Sequence, residues 1–380
     1  MTDLAIIVMA FNEESILARC LESVKGLGEL HVSIDQATTD KSEEVARGFG
    51  AAIYHHRGIP ANPPEHDHPE AGKALNSYSR MRNEVIEQVC AKTKAPWLMW
   101  LDADEVFLEG GDALLSYCQQ VPDEVAAIAT RMNLYLPTGQ LESVMRNSKV
   151  IRRAVRFTRR RHEHIDFQGI QTLCEEAAIG HFPTQPAEVR ASHDERKVQL
   201  EPFIEDWREF HDGRAAFYIA DWWFIHGHPE SALRWFEAGL ALPPEKCPPA
   251  QRAQLSVYAG KHYLQAEQFD EARHCYFLAL EYDWHYGEAC YYLGALAANQ
   301  KKYDEARHWF NIALTYPPNP ASIMQQEQGC TNDLPYYGLA CCAAEEGKRA
   351  EAYRLLDQAE RRMLWPREQY TDLRRKLDEA

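Results

Sequence analysis

The apolar positions change period near residue 200, and that change divides the chain. In the first half, LAIIVMA (4–10) is an unbroken apolar run, which reads as a strand buried on both faces of a parallel sheet. SILARCLESVKGLG (15–28) reads as a helix, with apolar Ile16, Leu17, Cys20, Leu21 and Val24 and with Gly26 near its end. ELHVSID (29–35) is a second strand, SEEVARGFG (42–50) a helix closed by glycine, and AAIYHH (51–56) a third strand. A surface loop rich in Pro, His and acids follows over 57–73, then a helix over 77–94 and the strand PWLMWLDAD. Strand and helix in alternation predict an α/β domain with a mainly parallel sheet, over residues 1–200.

Residues 201–380 carry no strand signal and repeat themselves. Ala232, Ala272, Ala306 and Ala352 are each followed four residues later by Phe236, Tyr276, Phe310 and Leu356, and seven residues later by Gly239, Ala279, Ala313 and Ala359. Twelve residues before each alanine stands Ala220, Gly260, Gly294 or Ala340. The alanines are 40, 34 and 46 residues apart, with the extra residues in PPEKCPP (243–249) and near PPNPASIMQQEQG (317–329). A 34-residue helix–turn–helix unit with small residues at the crossings resembles the tetratricopeptide repeat, in about four copies starting near Gly213, Ala253, Gly287 and Asp333. Such an all-α array offers a surface for peptides or partner proteins, or braces or dimerises its host.

Composition adds few restrictions. With 45% hydrophobic and 26% charged residues the chain is of ordinary globular type. A net charge of −16 opposes wholesale binding to nucleic acid or anionic membranes. No apolar run approaches a membrane span, and the N-terminus reads as a core strand, not a signal peptide. The ten cysteines show no CxxC spacing and read as reduced thiols in a cytoplasmic protein.

Three acids, Asp102, Asp104 and Glu105, stand where the buried run WLMWL stops. In an open α/β sheet ligands gather at the carboxyl ends of strands. Two carboxylates one residue apart can share a hard divalent cation that bridges to a diphosphate, which relieves their repulsion. Taken alone, an Asp-x-Asp also fits a solvated turn. Here it comes after IIVMAFNEE, ID-x-x-T-T-D (34–40) and MRNEV (81–85), in that order. Together these motifs resemble the family 2 glycosyltransferases of the GT-A fold, over residues 4–110.

The resemblance implies roles. Asp35 matches the acid that reads the nucleotide base, commonly uracil, although Gln36-Ala37-Thr38-Thr39 departs from the family's Asp-Gly-Ser-Thr turn. Phe11, Asn12 and Glu13 lie near the nucleotide, and Arg82 and Asn83 match the helix lining the donor pocket. Asp102 is expected at the ribose or a metal-bound water, and Asp104 on Mn²⁺ or Mg²⁺ that carries the leaving diphosphate's charge. Both are metal candidates, with His181 or His193 as a third ligand; Glu105 orients its neighbours or starts the next helix. Nucleotidyltransferases share the architecture, but their first strand enters a basic, Gly-rich loop, and here no glycine follows until Gly26.

Between Arg146 and Arg161 there are eight basic residues and no acid. This stretch fits ion pairing with the chain's own acids, or contact with phosphate in the donor or in an anionic acceptor such as DNA. His162-Glu163-His164 lacks the spacing of helical zinc sites. An inverting transferase needs a general base, for which Glu163 is the first candidate and Glu175 and Glu176 are alternatives. The expectation is therefore a metal-dependent glycosyltransferase using a UDP-sugar and a peptide, protein or glycan acceptor presented by the repeats. A modified DNA base as acceptor, and a catalytically inactive repeat scaffold, are the alternatives.

Overall fold

The computed structural model describes residues 3–57, 78–135, 139, 141–159, 164–166, 170–182, 200–316, 327–363 and 367–379. The chain divides into two compact units, Met1–Asp206 and Trp207–Ala380.

In the first unit, β1 (Leu4–Ala10), β2 (Glu29–Asp35), β3 (Ala52–His56) and β4 (Trp97–Asp102) lie side by side and parallel. They form one half of an eight-stranded sheet of order β3-β2-β1-β4-β7-β6-β10-β5. The other half is made by β5 (Glu105–Glu109), β6 (Val125–Tyr135), β7 (Leu141–Arg152) and β10 (Ile170–His181). Antiparallel pairing of β7 with β4 and β6, and of β10 with β5, makes the sheet mixed. The short strands β8 (Arg156–Thr158) and β9 (His164–Asp166) pair apart from it.

The unbroken apolar run of β1 is buried on both faces. Leu4, Ile6 and Val8 pack with Leu17, Cys20 and Leu21 of α1 (Glu14–Ser23) and with Leu114 and Cys118 of α4 (Gly111–Gln120). Ala5 and Ile7 pack on the opposite face with Val85, Ile86 and Val89 of α3 (Tyr78–Cys90). Two covered faces require a strand apolar at every position, which is what LAIIVMA supplies. A fourth helix, α2 (Ser42–Gly48), connects β2 to β3.

The second unit is built of helix hairpins: α6 (Gly213–Ile225) with α7 (Pro229–Leu240), α8 (Pro249–Gln265) with α9 (Phe269–Tyr282), α10 (Gly287–Asn299) with α11 (Tyr303–Thr315), and α12 (Leu334–Glu345) with α13 (Arg349–Arg362). Helix α14 (Glu368–Glu379) stands outside this pairing, and the division between the two units falls within α5 (Glu201–Phe210). The repeated small residues mark where the two helices of a hairpin touch. A Cβ on Gly260 would come within 2.5 Å of the Tyr276 ring, and one on Gly294 within 2.7 Å of the Phe310 ring. Each pair is sixteen residues apart, as are Ala220–Phe236 and Ala340–Leu356. Small opposite large is thus the packing rule of every hairpin.

The turn inside each hairpin repeats too. Gly227, Glu267, Lys301 and Gly347 all adopt left-handed backbone, with φ of 78°, 58°, 59° and 73°. They recur at the same 40, 34 and 46 spacing as the alanines. Only two of the four are glycine, so two turns carry a side chain where the Cβ is disfavoured. Glu267→Gly and Lys301→Gly are each expected to stabilise the chain by about 1 kcal/mol, read from urea unfolding midpoints.

Candidate functional site

Parallel strands place their carboxyl ends along one edge, and the motif residues collect there. β1 ends at Ala10 and enters a bend in which Phe11 is half-buried and Asn12 takes left-handed backbone, φ 55°. That conformation lets the Asn12 carboxamide oxygen accept the Thr39 N–H at 2.8 Å, joining the loop after β1 to the loop after β2. Glu13 is buried, and its N–H donates to Ser42 Oγ at 2.8 Å. Asp40 holds the same junction, accepting the N–H groups of Glu14 and Ser42 at 2.9 Å each.

At the end of β2 Asp35 is buried and accepts the Ala37 N–H at 2.9 Å, which shapes the turn that follows. Its register partner on β3 is His56. The His56 ring is buried, with Nδ1 2.8 Å from Ser33 Oγ. Burial pulls its pKa down to about 4, against the opposing pull of the Asp35 carboxylate.

Arg82 reaches the acids from α3. Its guanidinium lies over the rings of Trp100 and Phe157 at 4.6 and 5.4 Å, and donates to Asp102 Oδ1 at 3.3 Å. The neighbouring Asn83 is engaged differently. Its amide nitrogen donates to the Phe157 carbonyl and its amide oxygen accepts the Phe157 N–H, both at 2.8 Å, so it clamps β8 to α3.

The three acids now have distinct surroundings. Asp102 also accepts from Trp100 Nε1 at 3.3 Å, and Lys149 Nζ lies 4.0 Å away. Desolvation pushes its pKa up, but Arg82, Lys149, the Trp100 bond and His181 outweigh it and hold the carboxyl well below the usual carboxylate range. Asp104 faces His181 instead, with Nε2 3.2 Å from Oδ2. This hydrogen bond raises the imidazole's pKa against desolvation, with further help from the charges of Asp104, Glu105 and Asp102. Glu105 starts strand β5 and not a helix, because antiparallel pairing with β10 sets it opposite His181. It is buried and accepts from Lys149 Nζ at 2.6 and 2.7 Å and from the Asp102 N–H at 2.9 Å, so it orients its neighbour.

Two ligand atoms about 2.1 Å from one cation at right angles stand about 3.0 Å apart. The Asp104–His181 separation of 3.2 Å therefore fits two positions on a divalent ion of the Mn²⁺ or Mg²⁺ kind. Asp102, turned to Arg82 and Trp100, does not join them in a group with three ligand atoms within 4.8 Å of one another. His193 and Glu163 lie outside the described residues.

The basic stretch is largely committed inside the unit. Arg146 pairs with Glu175 at 3.0 Å, Lys149 with Glu105, and Arg152 stacks on Trp97 at 4.0 Å while donating to the Val125 carbonyl. Arg153 donates to the carbonyls of Cys90 and Thr93, and Arg156 to those of Arg153 and Val155. These partners are the chain's own groups, and Glu175 is held as an ion-pair partner. All ten cysteines are free thiols. Among the described residues no helix is long and apolar enough to cross a membrane. Two features escaped sequence reasoning: His56, whose partner becomes visible only once β2 and β3 pair, and Lys149, hidden among surface-like arginines.

No family model matches the chain. A TPR repeat-containing protein of Synechococcus elongatus is 24% identical over 257 residues, 63% of this chain and 57% of that one. The chain thus spans little more than half the length of this curated relative. Among solved structures, MamA is similar over 51% of this chain and 95% of its own, at 12% identity and a TM-score of 0.35. YrrB, described as a TPR protein with an unusual peptide-binding site, is similar over 50% of this chain and 88% of its own, at 18% identity and a TM-score of 0.35. The helical half is consistent with an array of the tetratricopeptide type.

Lys149→Met removes the cation from a buried carboxylate and is expected to cost about 3–5 kcal/mol in urea unfolding. His56 gives a pH dependence. Its folded pKa lies below the unfolded one, so its contribution is complete above about pH 6.5 and is lost as pH falls through about 4. The loss amounts to about 3 kcal/mol, and His56→Asn is expected to flatten stability between those pH values.

Proposed function

We propose that the first unit is a metal-dependent, inverting glycosyltransferase domain of the GT-A type, using a nucleoside-diphosphate sugar, with UDP as the expected nucleotide. The observation that carries this reading is the Asp102-Ala103-Asp104 turn at the end of β4, with Arg82 on Asp102 and His181 on Asp104. It lies on the same sheet edge as Asn12 and Asp35. Asp104 and His181 would hold Mn²⁺ or Mg²⁺, with Asp102 beside them; when bound, the ion offsets the charge of the leaving diphosphate.

The chain's own residues divide the remaining work. Asp35 would accept from the edge of the nucleotide base, and the Asn12–Thr39 bond fixes the two loops that flank it. Arg82 is braced by two rings and supplies fixed positive charge for the diphosphate. In the transfer, an acceptor hydroxyl oxygen forms a bond to the anomeric carbon as the bond to the diphosphate oxygen breaks. The electron pair leaves with that oxygen, and the hydroxyl proton passes to a carboxylate base, for which Glu163 is the proposed residue. The helical array would recognise a peptide, protein or glycan acceptor.

The intact chain is expected to hydrolyse one nucleotide sugar slowly in the presence of Mn²⁺ and to bind UDP with Mn²⁺ in calorimetry. Asp104→Ala should reduce that hydrolysis by about 100-fold or more. Absence of UDP binding, together with an unchanged Asp104→Ala variant, would leave a repeat scaffold as the better reading.

A further inference from the structure

The lengthened unit between α11 and α12 carries a cluster that the proposed reaction does not use. It rejoins the array through one 3₁₀ turn, Gln328–Thr331, preceded by Glu327. Residues three apart eclipse in such a turn, so Glu327 and Cys330 share a side. There they meet Glu288, in the first turn of α10. Ligand atoms of Glu288, Glu327 and Cys330 all lie within 4.8 Å of one another. Among the described residues this is the only such trio of His, Cys, Asp or Glu. Glu288 is 2% exposed and Cys330 fully buried.

Lys261 of α8 is the cation already present, 2.5 Å from Glu288 Oε1 and 3.6 Å from Glu327 Oε2. Its ammonium also lies over the rings of Tyr258 and Tyr292 at 4.8 and 4.9 Å. The Tyr292 hydroxyl donates to Glu327 Oε2 at 3.1 Å, and the Glu327 N–H to Glu288 Oε2 at 3.3 Å. Even so, two carboxylates against one ammonium leave an excess negative charge in a largely buried place, which is costly. Two buried tyrosines add a second observation. The hydroxyls of Tyr276 and Tyr286 have no hydrogen-bond partner among the described residues, and both rings are at most 2% exposed. Both tyrosines pack in the core cluster against which Tyr292 lies, and Tyr276 stacks on the Tyr292 ring at 5.4 Å. Buried hydroxyls without partners, packed with the tyrosine that holds Glu327, point to a polar guest such as the water on a bound ion.

We propose that Glu288, Glu327 and Cys330 form a structural site for a divalent cation of the Zn²⁺ class, which fastens the 3₁₀ turn to α10. Sulfur with carboxylate oxygen is a borderline donor set that suits such an ion better than Ca²⁺ or Mg²⁺. The charges then balance. Binding releases the thiol proton to solvent, and the three negative charges of two carboxylates and a thiolate equal those of Lys261 and the cation.

The test is titration of the metal-free, full-length chain with Cd²⁺ alone. A thiolate-to-cadmium charge-transfer band in the ultraviolet is expected to saturate at a single equivalent, to be displaced by Zn²⁺ and to vanish in Cys330→Ser. Glu327→Gln, on a side chain 38% exposed, should fold and bind at least about 10-fold more weakly. Asp104→Ala should keep the band, which separates this site from the proposed catalytic one. Lack of a band, a band that survives Cys330→Ser, or unchanged affinity in Glu327→Gln would show that the cluster is only an ion-pair network around Lys261.

Discussion

The buried pair of Glu105 and Lys149 sets the geometry on which the candidate site depends. Two charges in a sheet interior are tolerated because each satisfies the other and because the carboxylate has a third bond, from the Asp102 N–H. The pair ties β5 to β7, strands that are not neighbours in the sheet. It also fixes the backbone between Asp102 and Glu105. The acidic turn is therefore held from below by an ion pair that is itself almost inaccessible to solvent.

Above that pair the acids separate by environment. Asp102 stays ionised because Arg82 and Lys149 outweigh its desolvation. Asp104 engages an imidazole that stays protonated more readily because of it. Arg82 is immobilised between aromatic rings, and the loops after β1 and β2 are joined through Asn12 and Asp40. A polar edge with this degree of internal bonding needs little rearrangement on meeting a charged ligand, which is the condition for electrostatic preorganisation.

The second unit follows a different principle. Its hairpins close because a small residue on the first helix admits a ring or leucine from the second, and the rule recurs four times without depending on turn sequence. Insertions between hairpins leave that contact intact. After the longest of them, residues 327–331 lay Glu327 and Cys330 against Glu288, with Lys261 beside the two carboxylates.

Much of this was legible in the chain. Period fixes which side of an element is apolar, so the run LAIIVMA announced a strand with two covered faces. The alanine spacing likewise located the hairpins, whose first helices begin at Gly213, Pro249, Gly287 and Leu334, beside the expected Gly213, Ala253, Gly287 and Asp333. The sequence also marked Asp35, Asp102 and Asp104 as strand-end acids. What it could not decide was contact between distant segments. Arg146 to Arg161 read as a basic field, yet Arg146, Lys149, Arg152, Arg153 and Arg156 find partners across strands or on loop carbonyls. Asn83 read as a pocket residue and clamps β8. Glu105 opens a strand because β10 pairs with it. His56 and the Glu288–Glu327–Cys330 group have no local signature at all. Local pattern determines burial and element type through periodicity, whereas the partner of a polar group is chosen by which strands and helices meet, and that is settled only when the chain has folded.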